Sequence, residues 1–142
     1  MKNIVTDDTI VALSTPSGMG AIGVIRLSGP QAISISEKIF PALKLHEAQS
    51  HTLHFSLVMD GKEVVDEAVA GLFKAPKSYT CQDVVEISCH GSGFIIQRVL
   101  QLLIKHGARP AKPGEFTMRA FLNGRFDQIG RASCRERVFG YV

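Results

Sequence analysis

The stretch HTLHFSLVMDGKEVVDEAVAGLF, residues 51–73, decides the class of fold. Two segments rich in apolar residues, 51–59 and 63–73, lie on either side of Asp60-Gly61. This dipeptide is favoured where a tight turn joins two antiparallel strands and both turn residues need positive φ. The stretch therefore predicts a β-hairpin.

The rest of the chain adds strands and helices around this hairpin. Period-two or β-branched segments predict strands at 9–13, 21–28 and 83–90, and a shorter one at 108–111. Helical spacing of apolar residues begins after Ser28-Gly29-Pro30, which predicts a helix cap, and recurs from Ser92 and over 115–122. The predicted order is β, β, α, β, β, β, α, short β, α. Hairpins mixed with helices predict an α+β domain of two layers, with a mixed, largely antiparallel sheet and helices packed on one face.

Composition limits the classes of function. The chain has 142 residues, 45% hydrophobic and 20% charged, as expected for one globular domain with an ordinary core. Its 16 basic and 13 acidic residues give a net charge of +3. This charge is much smaller than that of a dedicated nucleic-acid-binding domain, which has a dense positive surface. Three cysteines without a Cys-x-x-Cys pair predict a reducing compartment, and the short apolar runs predict no membrane span. The expected location is cytoplasmic.

Two nucleotide-binding patterns are weak or absent. Gly18 to Gly23 matches Gly-x-Gly-x-x-Gly, but a predicted strand follows it, whereas dinucleotide binding needs a helix there. A turn or loop is the favoured interpretation. The phosphate-binding Gly-x-x-x-x-Gly-Lys-Ser/Thr motif does not occur, so this chain alone is not expected to bind GTP or ATP in the P-loop manner.

Charged residues inside predicted strands are the first candidates for a site. Arg26 and Glu86 each have apolar neighbours on both sides, where a charge is costly unless it is paired or functional. Periodicity alone favours a solvated sheet face or a structural ion pair over a functional role. His90 is interpreted as a hydrogen-bonded turn residue, because no second histidine or cysteine has metal-ligand spacing to it.

A polar series near the C-terminus is the second candidate: Glu115, Arg119, Asn123, Arg125 and Asp127. Residues 115 and 119 are one helical turn apart and can form a simple i, i+4 ion pair. The alternative is that Arg119 or Arg125 presents its guanidinium to a carboxylate or phosphate. The residues themselves therefore predict no more than an α+β domain with a candidate site for an anionic ligand.

Four segments resemble a known family. They are DTIVALSTPSGMGAIGVIRLSG (8–29), APKSYT (75–80), DVVEISCHG (83–91) and PGEFTMRAFLNG (113–124). In this order they are similar to the N-terminal domain of the MnmE (TrmE) family of tRNA modification GTPases. The resemblance covers about residues 5–127.

The resemblance implies a tetrahydrofolate-binding and dimerisation domain, similar in fold to the folate-binding part of the glycine-cleavage aminomethyltransferase. In the family, a helical domain with an inserted G domain follows, and GTP, Mg²⁺ and K⁺ bind in that G domain, which this chain lacks. The resemblance also implies a homodimer that works with the flavoprotein MnmG on tRNA. Together they attach aminomethyl-type groups to C5 of the wobble uridine, with 5-formyltetrahydrofolate or methylenetetrahydrofolate as the folate cofactor.

The resemblance implies three cofactor-binding residues: Arg26, Glu86 and Arg125, the last at a position where the family often has lysine. A carboxylate can accept the adjacent N–H and NH₂ donors of a pterin, and arginine suits the carboxylates of the glutamyl tail. No catalytic residue and no metal ligand is predicted, and this fragment is not expected to have activity alone.

The resemblance ends after Asp127, where the family continues into a helix of the Asp-Leu-x-x-Ala-Glu-Ala kind. The expected organisation is a domain over 1–127 and a non-native tail over 128–142. Two other functions stay open. One is a stand-alone folate-dependent one-carbon transferase with Glu86 or Asp83 as base; the other is a tRNA-binding module, which the modest charge disfavours.

Overall fold

A computed structural model of the chain describes residues 7–15 and 20–124. The described strands are β1 (Ile10–Leu13), β2 (Ile22–Ser28), β3 (Thr52–Asp60), β4 (Glu63–Phe73), β5 (Val84–His90) and β6 (Arg109–Pro110). The described α-helices are α1 (Ala32–Ile39), α2 (Gly93–Lys105) and α3 (Glu115–Leu122), and a short 3₁₀ turn spans Leu45–Glu47. Apart from that turn, the predicted order of strands and helices is confirmed.

The strands form one mixed sheet in the order β3-β4-β5-β2-β1-β6. Only the pairing of β1 with β6 is parallel among the described strands; all other neighbours are antiparallel. In the centre, β2 and β5 pair so that Ile25 lies opposite Ile87 and Arg26 lies opposite Glu86. The predicted α+β class with a largely antiparallel sheet is confirmed.

One face of the sheet packs against α1 and α2 to form the core. Side chains alternate along a strand, so Ile25 and Leu27 of β2 point to this face, as do Val85 and Ile87 of β5. The packing is close at Gly23, where an added Cβ would lie 2.7 Å from Cδ1 of Ile96 on α2. The helical residues of the core are Ala32, Ile35, Ile39, Val99, Leu102 and Leu103.

The opposite face carries Arg26 and Glu86, and α3 reaches it. Phe116 of α3 is buried beside Arg26, with 5.6 Å between its ring centre and the guanidinium carbon. Two helices therefore cover one face, and the third contributes to the other. None of the helices in residues 7–15 and 20–124 is long and apolar enough to cross a membrane.

Two local predictions were wrong. Ser28 does not cap α1: it ends β2, and the helix begins at Ala32 after Gln31, whose backbone N–H donates to Oγ1 of Thr9 at 2.9 Å. The hairpin turn is Gly61-Lys62, not Asp60-Gly61, because a register shift between Val58 and Met59 brings Asp60 into β3. Both deviations come from contacts that the local pattern does not contain.

Candidate functional site

The centre of the site is an ion pair between Arg26 on β2 and Glu86 on β5. Period two in both strands places them on the face away from α1 and α2, and the antiparallel register sets them side by side. Nε of Arg26 donates to Oε2 of Glu86 at 3.0 Å, and Nη2 lies 2.9 Å from the same oxygen in the ion pair. The Arg26 side chain is 15% exposed and that of Glu86 is 32% exposed, so the carboxylate is the more accessible partner.

The Glu86 carboxylate has unused acceptor capacity. An ionised carboxylate offers about four acceptor positions, and both contacts from Arg26 are to Oε2. No other described residue donates a hydrogen bond to its Oε1. On the β4 side, Glu86 lies opposite Gly71, which has no side chain to cover it. Glu86 is therefore placed to accept hydrogen bonds from a ligand.

Two aromatic rings flank Arg26. The guanidinium carbon is 5.6 Å from the ring centre of Tyr79 and 5.6 Å from that of Phe116. At such distances, the negative faces of the rings attract the cation. Nη1 of Arg26 is buried and has no hydrogen-bond partner, so it relies on these contacts.

The loop that carries Tyr79 is tied to β2 and to α3. The Ser28 hydroxyl contacts Oγ1 of Thr80 at 2.6 Å and donates to Oε1 of Gln82 at 2.9 Å. Asn123, just after α3, donates from Nδ2 to the carbonyl of Thr80 at 2.9 Å. These contacts set the position of the loop relative to the ion pair.

A cluster of four charged residues, the α3 anchor, fixes α3 to the N-terminal segment and β6: Asp8, Arg109, Glu115 and Arg119. Arg109 donates to Oδ2 of Asp8 and to Oε2 of Glu115, both at 2.6 Å. Arg119 donates from Nη1 to the Asp8 carbonyl at 2.7 Å, forms an ion pair with the Asp8 carboxylate, and lies 3.5 Å from Glu115.

Hydrogen bonding in the α3 anchor lowers the pKa of both carboxylates. The hydrogen bond from Arg109 is the largest effect on Asp8 and outweighs its partial burial, so the pKa of Asp8 falls to about 2. Burial raises the pKa of Glu115, but hydrogen bonds from Arg109 and from the Lys112 backbone outweigh it and the net shift is downward. Both carboxylates are therefore ionised at neutral pH.

The structure distinguishes among the candidate residues of the C-terminal series. Arg119 pairs with Glu115 as predicted, and its side chain is 0% exposed, which excludes the alternative that it faces an external anion. Asn123 contacts the Thr80 carbonyl. Arg125, Asp127 and the predicted tail over 128–142 lie outside the described residues.

His90 is hydrogen-bonded as predicted, but it is the last residue of β5 and not a turn residue. Its backbone N–H and Nδ1 contact the Asp66 carboxylate at 2.9 and 2.6 Å. The neighbouring Cys89 is an inert thiol, since burial, followed by the Asp66 charge, raises its pKa to about 11. Within the described part of the chain, no three His, Cys, Asp or Glu side chains are grouped so that they could hold a metal ion.

Asp83 precedes β5 and is engaged with its own loop. Its Oδ1 accepts a hydrogen bond from the Ala75 backbone N–H at 2.9 Å, and its carbonyl accepts one from Gly29 at 3.0 Å. These contacts give Asp83 a role in closing the loop before β5.

Sequence reasoning missed the aromatic rings and half of the α3 anchor. Tyr79 lies in an irregular loop and Phe116 reads as ordinary helix packing, so neither carries a local signal. Asp8 and Arg109 are 101 residues apart. Asp8 lies beside a predicted strand and Arg109 lies within one, which suggests that each needs a partner of opposite charge. The sequence pattern does not show which residue that partner is.

The fold and the site together define a two-layer α+β domain with an ion pair, contacted by two aromatic rings, on the sheet face opposite α1 and α2. Residues 9–125 match the family described as "GTP-binding protein TrmE N-terminus". The chain belongs to this family of TrmE N-terminal domains.

Individual relatives support the same family assignment. The chain is 61% identical over 120 residues to the tRNA modification GTPase MnmE of Cytophaga hutchinsonii, with 84% of this chain and 26% of the relative covered. It is 54% identical over 121 residues to that of Listeria welshimeri and 55% over 124 residues to that of Bacteroides thetaiotaomicron, with the same coverage. The chain thus spans about a quarter of the length of these relatives and corresponds to their N-terminal domain.

Proposed function

We propose that this domain binds a tetrahydrofolate derivative and forms a homodimer, as part of a GTPase that modifies the wobble uridine of tRNA together with MnmG. The folate is 5-formyltetrahydrofolate or methylenetetrahydrofolate. GTP, Mg²⁺ and K⁺ bind elsewhere in the full-length protein, whose expected location is the cytoplasm. The described residues contribute ligand binding and no catalytic group.

The observation that carries the proposal is that Arg26 contacts only Oε2 of the Glu86 carboxylate and leaves Oε1 available. A pterin presents an N–H and an NH₂ group side by side, and a carboxylate with two unused acceptor positions fits both donors. Arg26 balances the charge of Glu86 through the ion pair and leaves Oε1 available to a ligand. Gly71, the residue opposite Glu86 on β4, adds no side chain of its own beside the carboxylate.

The remaining contact of the proposed site would come from Arg125. A guanidinium can bind the carboxylates of the glutamyl tail in bidentate geometry, where a lysine would bind as a point charge. Helix α3 ends at Leu122, and Asn123 fixes the chain to the Thr80 loop two residues before Arg125.

The proposal is tested by titrating 5-formyltetrahydrofolate into the 142-residue chain by calorimetry. We expect saturable binding to the unchanged chain. We expect Glu86→Gln to lower the affinity by at least about a hundredfold, because the amide replaces one acceptor with a donor that faces the pterin donors and weakens the pair with Arg26.

Glu47→Gln is the matched control, since Glu47 is an exposed carboxylate in the 3₁₀ turn on the helix side of the sheet. Its affinity should equal that of the unchanged chain. Circular dichroism and the unfolding midpoint confirm that both variants fold. Equal affinities for Glu86→Gln and the unchanged chain would refute the role of Glu86.

Dimerisation is supported by an exposed apolar surface next to the site. Leu53, Phe55 and Leu57 of the edge strand β3 point to the face that carries Glu86. A surface of this kind on a small domain usually marks a protein interaction site. A second copy of the chain is the proposed partner for it.

A further inference from the structure

The proposed function assigns no folate contact to the two aromatic rings beside Arg26, yet both lie close to its guanidinium. Arg26 has three groups of donors, of which Nε and Nη2 bind Glu86 while Nη1 is buried without a hydrogen-bond partner. Tyr79 and Phe116 each lie 5.6 Å from the guanidinium carbon. Ring faces attract a cation, so these two rings stabilise the part of Arg26 that hydrogen bonds do not reach.

We propose that Tyr79 and Phe116, the aromatic clamp, are positioning residues that hold Arg26 so that it orients the Glu86 carboxylate toward a bound tetrahydrofolate. The inference rests on the proposed function. Arginine has several rotatable bonds, and a free arginine would lose this freedom when a ligand binds. A clamped arginine has already lost it on folding, so binding becomes tighter without any contact between the clamp and the ligand.

The clamp is itself held in place by described contacts. The Tyr79 hydroxyl lies 3.1 Å from Oγ1 of Thr117, which joins the Tyr79 loop to α3. Phe116 is buried, and its neighbour Glu115 is held in the α3 anchor by Arg109. Both rings are therefore held by contacts with residues other than Arg26 and Glu86.

The test is a calorimetric titration of 5-formyltetrahydrofolate into variants of the 142-residue chain. Tyr79→Phe keeps the ring and loses only the hydroxyl, so we expect an affinity within about twofold of the unchanged chain. Tyr79→Leu and Phe116→Leu remove a ring face, and we expect each to weaken binding by about tenfold. Phe116 is buried, so its replacement can unfold the chain. The comparison of Tyr79→Phe with Tyr79→Leu therefore decides the outcome.

The matched control is Phe94→Leu. Phe94 lies on α2, away from the site, and its ring centre is 6.0 Å from the guanidinium carbon of Arg98. The substitution removes the same kind of contact and should leave the affinity unchanged. The unfolding midpoint of each variant reports its stability separately.

A double-mutant comparison shows whether the ring acts through Arg26. Arg26→Lys keeps the charge but removes the planar group that the rings contact. In that background, we expect Tyr79→Leu to weaken binding by less than about threefold, because the interaction it disrupts is already gone. If the two losses multiply, Tyr79 acts by another route and the inference is overturned.

The outcomes separate this inference from the proposed function. If the unchanged chain does not bind the folate, the proposed function fails and the clamp inference fails with it. If the unchanged chain binds, Glu86→Gln does not, and Tyr79→Leu binds as the unchanged chain does, only the clamp inference is overturned.

Discussion

Asp8 is the residue through which the N-terminal segment is joined to α3. Its carboxylate accepts hydrogen bonds from Arg109 at 2.6 Å and 3.4 Å and pairs with Arg119, whose side chain is fully buried. Arg119 has no other described carboxylate nearby except Glu115. Removal of the Asp8 charge would leave a buried guanidinium undercompensated, which is costly in a protein interior.

Asp8→Asn tests this contribution through its pH dependence. The pKa of Asp8 in the folded chain is about 2, below its ordinary value of 3.8, chiefly because Arg109 donates to it. Ionised Asp8 therefore stabilises the fold at pH values above about 4, and the contribution disappears as the pH falls toward about 2. With allowance for the solvent exposure of Asp8, we expect Asp8→Asn to lower the free energy of unfolding by about 1 kcal/mol at pH 7.

Urea unfolding of both proteins at pH 7, 4 and 2.5 measures the effect. The difference between the unchanged chain and Asp8→Asn should shrink at the lowest pH. Asp7→Asn is the neighbouring control, since Asp7 is exposed. A difference that is constant across this range would show that the Asp8 charge does not stabilise the fold.

At the level of elements, the junction between β5 and α2 depends on one glycine. A Cβ at Gly91 would lie 2.0 Å from the backbone oxygen of Gly20, and Gly91 also donates its N–H to the Ala21 carbonyl at 3.0 Å. The chain before β2 and the chain after β5 therefore approach more closely than any side chain permits. Gly93, two residues later, has no heavy atom within 4 Å of the corresponding position.

These two glycines give a matched pair of substitutions. We expect Gly91→Ala to lower the free energy of unfolding by about 2 kcal/mol or more, because backbone atoms must move apart. We expect Gly93→Ala to raise it by about 0.5 kcal/mol, since Gly93 begins α2 and alanine favours the helix. Urea unfolding midpoints measure both changes. Equal effects of the two substitutions would contradict the close approach at Gly91.

The elements were largely predictable because their signals are local. The residues from 93 to 105 repeat apolar side chains with helical spacing, and α3 has the predicted bounds, Glu115–Leu122. Period two also assigned Arg26 and Glu86 to their strand faces. The hairpin turn was displaced by one residue because the bulge at Val58 and Met59 depends on cross-strand packing, which a single segment does not encode.

At the scale of the whole molecule, the candidate site is assembled from parts that are distant in sequence. Arg26 and Glu86 are 60 residues apart, and Tyr79 and Thr117 are 38 apart. Local patterns identified Arg26 and Glu86 as candidate residues but did not predict that they form a pair, because β2 and β5 are neighbours only in the folded sheet. The aromatic clamp depends on both a loop and α3, so it follows only from the tertiary structure.

The same sheet face connects the candidate site to the exposed apolar surface of β3. Gly71 lies opposite Glu86 on one side and opposite Leu53 on the other, so one β4 residue separates the ion pair from that surface. Leu53 is 73% exposed and Phe55 is 66% exposed. A second chain that covers these side chains would border the site, so the proposed dimer and the proposed folate site would share one surface.

The proposed dimer is tested by sedimentation equilibrium of the 142-residue chain. We expect a mass of twice 15.4 kDa. We expect Leu53→Asp combined with Phe55→Asp to give the monomer mass, because two carboxylates would be buried without partners at the centre of the interface. Phe94→Asp is the control, since Phe94 is equally exposed but lies on α2, in the other layer. This variant should keep the mass of the unchanged chain. A monomeric unchanged chain, or a double variant that remains dimeric, would exclude the β3 surface as the interface of the proposed homodimer.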